Sequence, residues 1–123
     1  DACFFSGLRK IETEWEGEAQ EAWRPKKVFH YIQGRFTEPD LIVDISDSFE
    51  QKMEAIRCFK TQFFNDNSGD PQTYISSPGF LEKIRNRASQ LGHRIGVKYG
   101  EGFHIESRIG VSDLDQLIYP ELV

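Results

Sequence analysis

The residues able to do chemistry in this chain are few and scattered. Its three histidines are His30, His93 and His104. None stands in the His-x-His, His-x-x-x-His or His-x-x-Glu-His spacing that gathers metal ligands on one face of a strand or helix. Cys3 and Cys58 each lack a second cysteine two to four residues away, so a structural zinc site is not expected. His104 and Glu106 are the pair that could lend ligands to a shared site; the plainer reading is a solvated histidine near a strand end. No metal site and no catalytic set complete within the chain are expected.

Nucleophiles fare no better. Ser46, Ser76 and Ser77 read as caps and turn residues, and no Gly-x-Ser-x-Gly elbow is present. Cys58 falls on the side line of an amphipathic helix, where a small buried thiol is the ordinary reading. Cys3 has no basic activator close in sequence. Gly100-Glu-Gly102 is not a phosphate loop, because it lacks Gly-x-Gly-x-x-Gly and the Walker pattern. It marks a backbone that bends or is closely approached. Glu101, between Tyr99 and Phe103, is either a hydrogen-bonded anchor or a group facing a pocket. Pairing of Arg87 with Glu101, pinning the tail to the second long helix, is favoured over contact with a substrate.

The elements that must position these residues follow from periodicity. Ala2, Phe5 and Leu8 suggest the end of a helix over 1–11. Residues 12–22 are acidic and read as a surface loop anchored by Trp15 and Trp23, with Pro25 disfavouring helix at Arg24. Residues 27–33 are β-branched and aromatic, hence a strand. Residues 41–45 are continuously apolar, hence a strand buried on both faces at the edge of a mixed or parallel sheet. A helix starts near Ser46, with Asp47 and Glu50 as a capping box. Its core stripe is Phe49, Met53, Ile56, Phe59 and Phe63, with Ala55, Cys58 and Gln62 beside it. Turn formers over 65–71 end it. Ser77-Pro78 opens a second helix with Phe80, Ile84, Ala88 and Leu91 on one face, closed at Gly92 or Gly96. An extended, glycine-punctuated tail and a final turn over 111–117 complete the chain.

Composition narrows the class. The 123 residues are 38% hydrophobic and 28% charged, which suits a folded domain or part of one. Fifteen basic against twenty acidic residues give a net charge of −5, which argues against a general nucleic-acid surface. No apolar run reaches the roughly 20 residues of a membrane span, and no secretory signal is visible. Two cysteines make no disulfide framework, so a reducing, cytoplasmic setting is expected. The start, Asp1-Ala-Cys-Phe-Phe, reads as mid-helix without a methionine, so upstream sequence is expected; a trimmed or processed start is the alternative.

Five ordered motifs carry a resemblance: Ser6-Gly-Leu-Arg-Lys10, Arg24-Pro-Lys-Lys-Val28, Lys60-Thr-Gln-Phe63, Tyr74-Ile-Ser-Ser-Pro-Gly-Phe80 and Tyr99-Gly-Glu-Gly-Phe103. Together they resemble the C-terminal half of zinc-dependent N-acetylglucosaminyl deacetylases of the LmbE/PIG-L type, closest to the bacillithiol-biosynthesis branch. Thr61 replaces the serine usual in the third motif. The resemblance implies an α/β fold over 1–123: the C-terminal part of a Rossmann-like three-layer domain, with two or three strands and two to three helices here. It implies amide hydrolysis of an N-acetylglucosaminyl conjugate, N-acetylglucosaminyl malate in the bacillithiol branch. Zinc in such an enzyme polarises the acetyl carbonyl and lowers the pKa of a bound water.

The family's metal motifs, His-Pro-Asp-Asp-x-Glu and His-x-Asp-His, do not occur here, so the chain alone is expected to be inactive and to ligate no zinc fully. Its implied contribution is to the substrate pocket or its support, through Phe80, Arg87, Glu101, Tyr99 and Gln62. A small sugar-conjugate substrate and a homo-oligomer are the expected partners, with no nucleic acid and no membrane. The competing reading is a free-standing noncatalytic binding or assembly module.

Overall fold

The structure is a computed structural model, and it describes residues 1–59 and 79–118. These form a mixed α/β unit with two small antiparallel sheets. In chain order the elements are α1 (Ala2–Phe5), β1 (Thr13–Trp15), β2 (Glu18–Gln20), β3 (His30–Tyr31), β4 (Leu41–Asp44), α2 (Phe49–Cys58), α3 (Phe80–His93), β5 (Gly100–His104) and a 3₁₀ turn (Leu114–Gln116).

The larger sheet has the order β3-β5-β4, so the glycine-punctuated tail supplies its middle strand. Both neighbours run antiparallel to β5. The two upstream strands therefore do not pair with each other, as an edge of a parallel sheet would require. Along 27–33 only His30–Tyr31 makes a ladder. β4 is less buried than its apolar sequence suggests: Leu41 and Ile42 are half-buried, while Val43 is 41% exposed and Asp44 is exposed. Among the described residues β4 bonds to β5 alone, and an outer strand keeps one flank open.

Two glycines let α3 lie close on the sheet. A Cβ at Gly92 would come within 2.8 Å of the Tyr99 backbone, and one at Gly100 within 2.7 Å of Ile42 Cγ2 and 2.8 Å of the Gly92 nitrogen. α3 ends at His93, and the turn that follows passes through Gly96, whose φ of 74° is left-handed. The Val97 N–H donates to the Gly92 carbonyl (3.0 Å) and the Gly96 N–H to that of His93 (3.3 Å). This satisfies carbonyls the helix would leave bare.

The core sits where α2, α3 and the start of β5 meet. Phe49, Met53, Ala88, Leu91 and Tyr99 are buried, with Ile56 and Ile84 packed against the cluster. Phe49 stacks on Tyr99 at 3.9 Å between centroids. The expected α3 face is thus the one that packs. The α2 stripe is realised only in its first half. The helix ends at Cys58, Phe59 is 59% exposed, and Ala55 and Cys58 are exposed as well. The reading of Cys58 as a buried thiol is therefore corrected.

The expected capping box does not form either. α2 begins at Phe49 with Ser48 as N-cap and no side-chain cap bond. Ser46 instead donates its Oγ hydrogen (2.6 Å) and its backbone N–H (2.9 Å) to Asp44, and accepts the Tyr99 N–H at 3.2 Å. The side chain expected as a cap ties the helix start to the sheet instead.

Residues 12–22, expected as a loop, form a hairpin. Glu16 (φ 52°) and Gly17 (φ 85°) both take positive φ, the backbone of a two-residue type I′ turn. Trp15 and Trp23 are 67% and 68% exposed, so neither anchors the segment. Arg24 does: its guanidinium lies 4.7 Å from the Phe4 ring centroid and donates to the Phe4 carbonyl at 3.2 Å. The turn formers over 65–71, the Ser77-Pro78 cap and Phe63 lie outside the described residues. No helix among the described residues is long and apolar enough to cross a membrane.

Candidate functional site

A cavity of about 580 Å³ opens beside the core. Ile56, Ile84, Ala88 and Leu91 give it an apolar floor from α2 and α3. Gly100, Glu101 and Gly102 of β5 form one wall, and residues 31–34 another. Gly100 and Gly102 are closely packed, the first against Ile42 and Gly92 and the second against Pro39, so only backbone faces the recess there. Phe80 stands at the start of α3, and Lys52, Lys83 and Arg87 add positive charge.

Three of the residues singled out from sequence, Phe80 and Arg87 on α3 and Glu101 on β5, line this one cavity. Tyr99 lies behind it. Its ring is buried in the core, and its hydroxyl accepts a hydrogen bond from Arg85 Nη1 at 2.8 Å. Arg85 also reaches Glu50 at 3.0 Å and lies 5.1 Å from the Phe49 ring centroid, closing the core from outside. Arg85 beside it holds the Glu50 carboxyl below its usual value. Gln62 and the motif around it lie outside the described residues, as does most of the motif leading to Phe80.

The expected Arg87–Glu101 pair does not form. Glu101 is bonded to Lys52 of α2, both side chains about two-thirds covered. Arg87 donates to the carbonyls of Gln33 and Gly34, the latter at 3.2 Å, and so binds α3 to the segment after β3. The reason lies in the sheet order. With β5 in the middle, the cavity wall built by residues 31–34 comes within reach of Arg87, while Glu101 is met by α2.

Lys52 is the residue that sequence reasoning missed. It precedes Met53, so it stands at the margin of the α2 apolar stripe, where a long stem can cover apolar surface while its ammonium meets a carboxylate. That position was the available signal.

His104 does not pair with Glu106. It contacts Asp40 and Thr37 instead, and Glu106 lies 3.7 Å from His30 Nε2. β5 ends at His104, so the alternation that would put His104 and Glu106 on one face stops there. Among the described residues no three His, Cys, Asp or Glu side chains come together to hold a metal ion.

What the cavity can do is bind. Its charged lining is Lys52, Lys83 and Arg87 against Glu101, in a chain whose net charge is −5. Cations concentrated in a partly apolar recess attract an anion more strongly than the same cations spread over an open surface. An apolar floor with a few polar groups at its rim is the usual build of a small-molecule site. No protein-family model matches the chain.

Proposed function

We propose that this chain forms the substrate-binding part of a zinc-dependent N-deacetylase of the LmbE/PIG-L type, acting on an anionic N-acetylglucosaminyl conjugate such as N-acetylglucosaminyl malate. The observation that carries this reading is the cavity, which gathers three cations, one carboxylate, an aromatic ring and an apolar floor in an acidic chain. A sugar ring presents C–H groups on one face and hydroxyls at its edge. The C–H face suits Phe80 and the floor, the hydroxyls suit the Lys52–Glu101 pair, and a malate carboxylate suits Lys83 and Arg87. Charge-assisted bonds of that kind are about twice as strong as neutral ones.

In this reading the chain binds and orients. The bond-breaking groups and the zinc belong to the intact enzyme, whose whole domain would be a Rossmann-like three-layer fold and whose setting is cytoplasmic, as a homo-oligomer. The second reading is a free-standing module that binds the same class of anionic sugar conjugate without cleaving it, and the same cavity serves it.

Titration calorimetry with N-acetylglucosaminyl malate tests the binding claim, on the chain and on its Arg87→Ala and Glu101→Gln variants. Saturable binding weakened by both substitutions is expected. Equal heats in all three proteins would remove the cavity from the argument. Acetate release with bound zinc in the product of the complete gene, and not in this chain, separates the deacetylase from the binding module.

A further inference from the structure

A second cluster lies away from the cavity, at the end of the larger sheet, and none of its members lines the recess. His104 is the last residue of β5. Asp40 stands just before β4, fixed by its own N–H donating to the Phe103 carbonyl at 2.9 Å. Its Oδ2 accepts the Ile105 N–H at 3.0 Å and lies 3.3 Å from His104 Nδ1. On the other side of the ring, His104 Nε2 lies 2.7 Å from Thr37 Oγ1.

These contacts fix the roles of the atoms. An ionised carboxylate only accepts, so Nδ1 carries the hydrogen that faces Asp40. In the neutral imidazole Nε2 keeps its lone pair and can accept from the Thr37 hydroxyl. The Ile105 N–H and His104 hold the Asp40 carboxyl below its usual value, which keeps it ionised. The order carboxylate, imidazole, hydroxyl is that of an acyl-transfer relay, which is recognised by geometry and roles rather than by position in the chain. The relay is open to solvent, with the His104 and Asp40 side chains 39% and 57% exposed.

We propose that Thr37, His104 and Asp40 form a second chemical site, at which Thr37 accepts an acyl group from small activated carboxylic esters. Thr37 Oγ1 attacks the ester carbonyl carbon, and its proton passes to His104 Nε2. The bond to the leaving alkoxide breaks, and the alkoxide takes that proton. Water, giving its proton to His104, then attacks the acyl-threonine. The carboxylic acid leaves, and Thr37 recovers its hydrogen. Asp40 is a positioning residue that holds the imidazole in the working tautomer.

The test uses the full chain with p-nitrophenyl acetate, following p-nitrophenolate release and mapping acetyl adducts by peptide mass spectrometry. The expected result is an adduct on Thr37 that is absent in Thr37→Val, kept in Thr37→Ser and about 100-fold slower to form in His104→Gln. Asp40→Asn should slow its formation about tenfold. Adducts confined to lysines or to His30, which faces His104 across the ladder, would overturn the proposal. So would Thr37 labelling that is unchanged in His104→Gln. Adduct mapping on the unaltered chain decides the matter even where a variant fails to fold.

Discussion

The two ends of the molecule use aromatic residues in opposite ways. In the unit built by α2, α3 and β5, one ring pair, Phe49 on Tyr99, sits in the core with Met53 and Ala88. In the N-terminal third, Phe4, Phe5, Trp15 and Trp23 all lie about half exposed or more, and every residue of β1 and β2 faces solvent. That region is held by backbone turns, the Trp23 N–H on the Ser6 carbonyl (3.0 Å) and the Arg24 contacts with Phe4. The lesson is that aromatic content does not mark the core. Burial requires an opposing surface, which the helix pair and β5 provide and the short hairpin does not.

The comparison breaks first at Phe49. Phe49→Ala should destabilise the chain by about 3–5 kcal/mol in urea denaturation, since it removes a fully buried ring. A smaller loss would show that the core is looser than its packing suggests. Gly100→Ala should cost about 1–3 kcal/mol by the same measurement, because its new methyl meets backbone and Ile42. Tyr99→Phe should cost about 1 kcal/mol, the net worth of the bond from Arg85. A denaturation midpoint unchanged by that substitution would remove Arg85 as the closure of the core.

Acid sharpens the same contrast. The carboxyls of Asp44, at the end of β4, and Glu50, in the first turn of α2, sit below their usual 3.8 and 4.5 because Ser46 and Arg85 bond them. A depressed folded-state pKa gives stability that is present above the unfolded value and is lost as pH falls through the folded one. The urea midpoint should therefore decline below about pH 4, and less so in Asp44→Asn. At the small end, Trp15→Ala should change stability by no more than about 0.5 kcal/mol, although it deletes the largest kind of side chain. A larger loss would show that the hairpin packs against something.

Much of the helix pair was legible in sequence. The line Phe80, Ile84, Ala88 and Leu91 is a 3.6-residue repeat, and α3 turns that side inward. The Gly100-Glu-Gly102 run signalled a bend or a close approach, and Gly100 makes one against Ile42 and Gly92. The hairpin was hidden because its strands bury nothing and so show no alternation, leaving only Glu16-Gly17 as a cue. The start of α2 misled because Ser46 sits beside both a helix and a strand, and the strand claims it.

The sequence by itself determined the inward face of α3, the first half of the α2 stripe and the points where only glycine fits, since all of these depend on residues within a turn or two of one another. Tertiary structure alone decided that the tail is the middle strand, that Glu101 meets Lys52 rather than Arg87, and that Thr37 and Asp40 flank His104. The partners in those contacts stand 49 to 67 residues apart. A carboxylate or an imidazole bonds equally well to many groups of the right charge. Which one it meets is fixed by how the apolar faces pack, because that packing decides which polar groups come within reach.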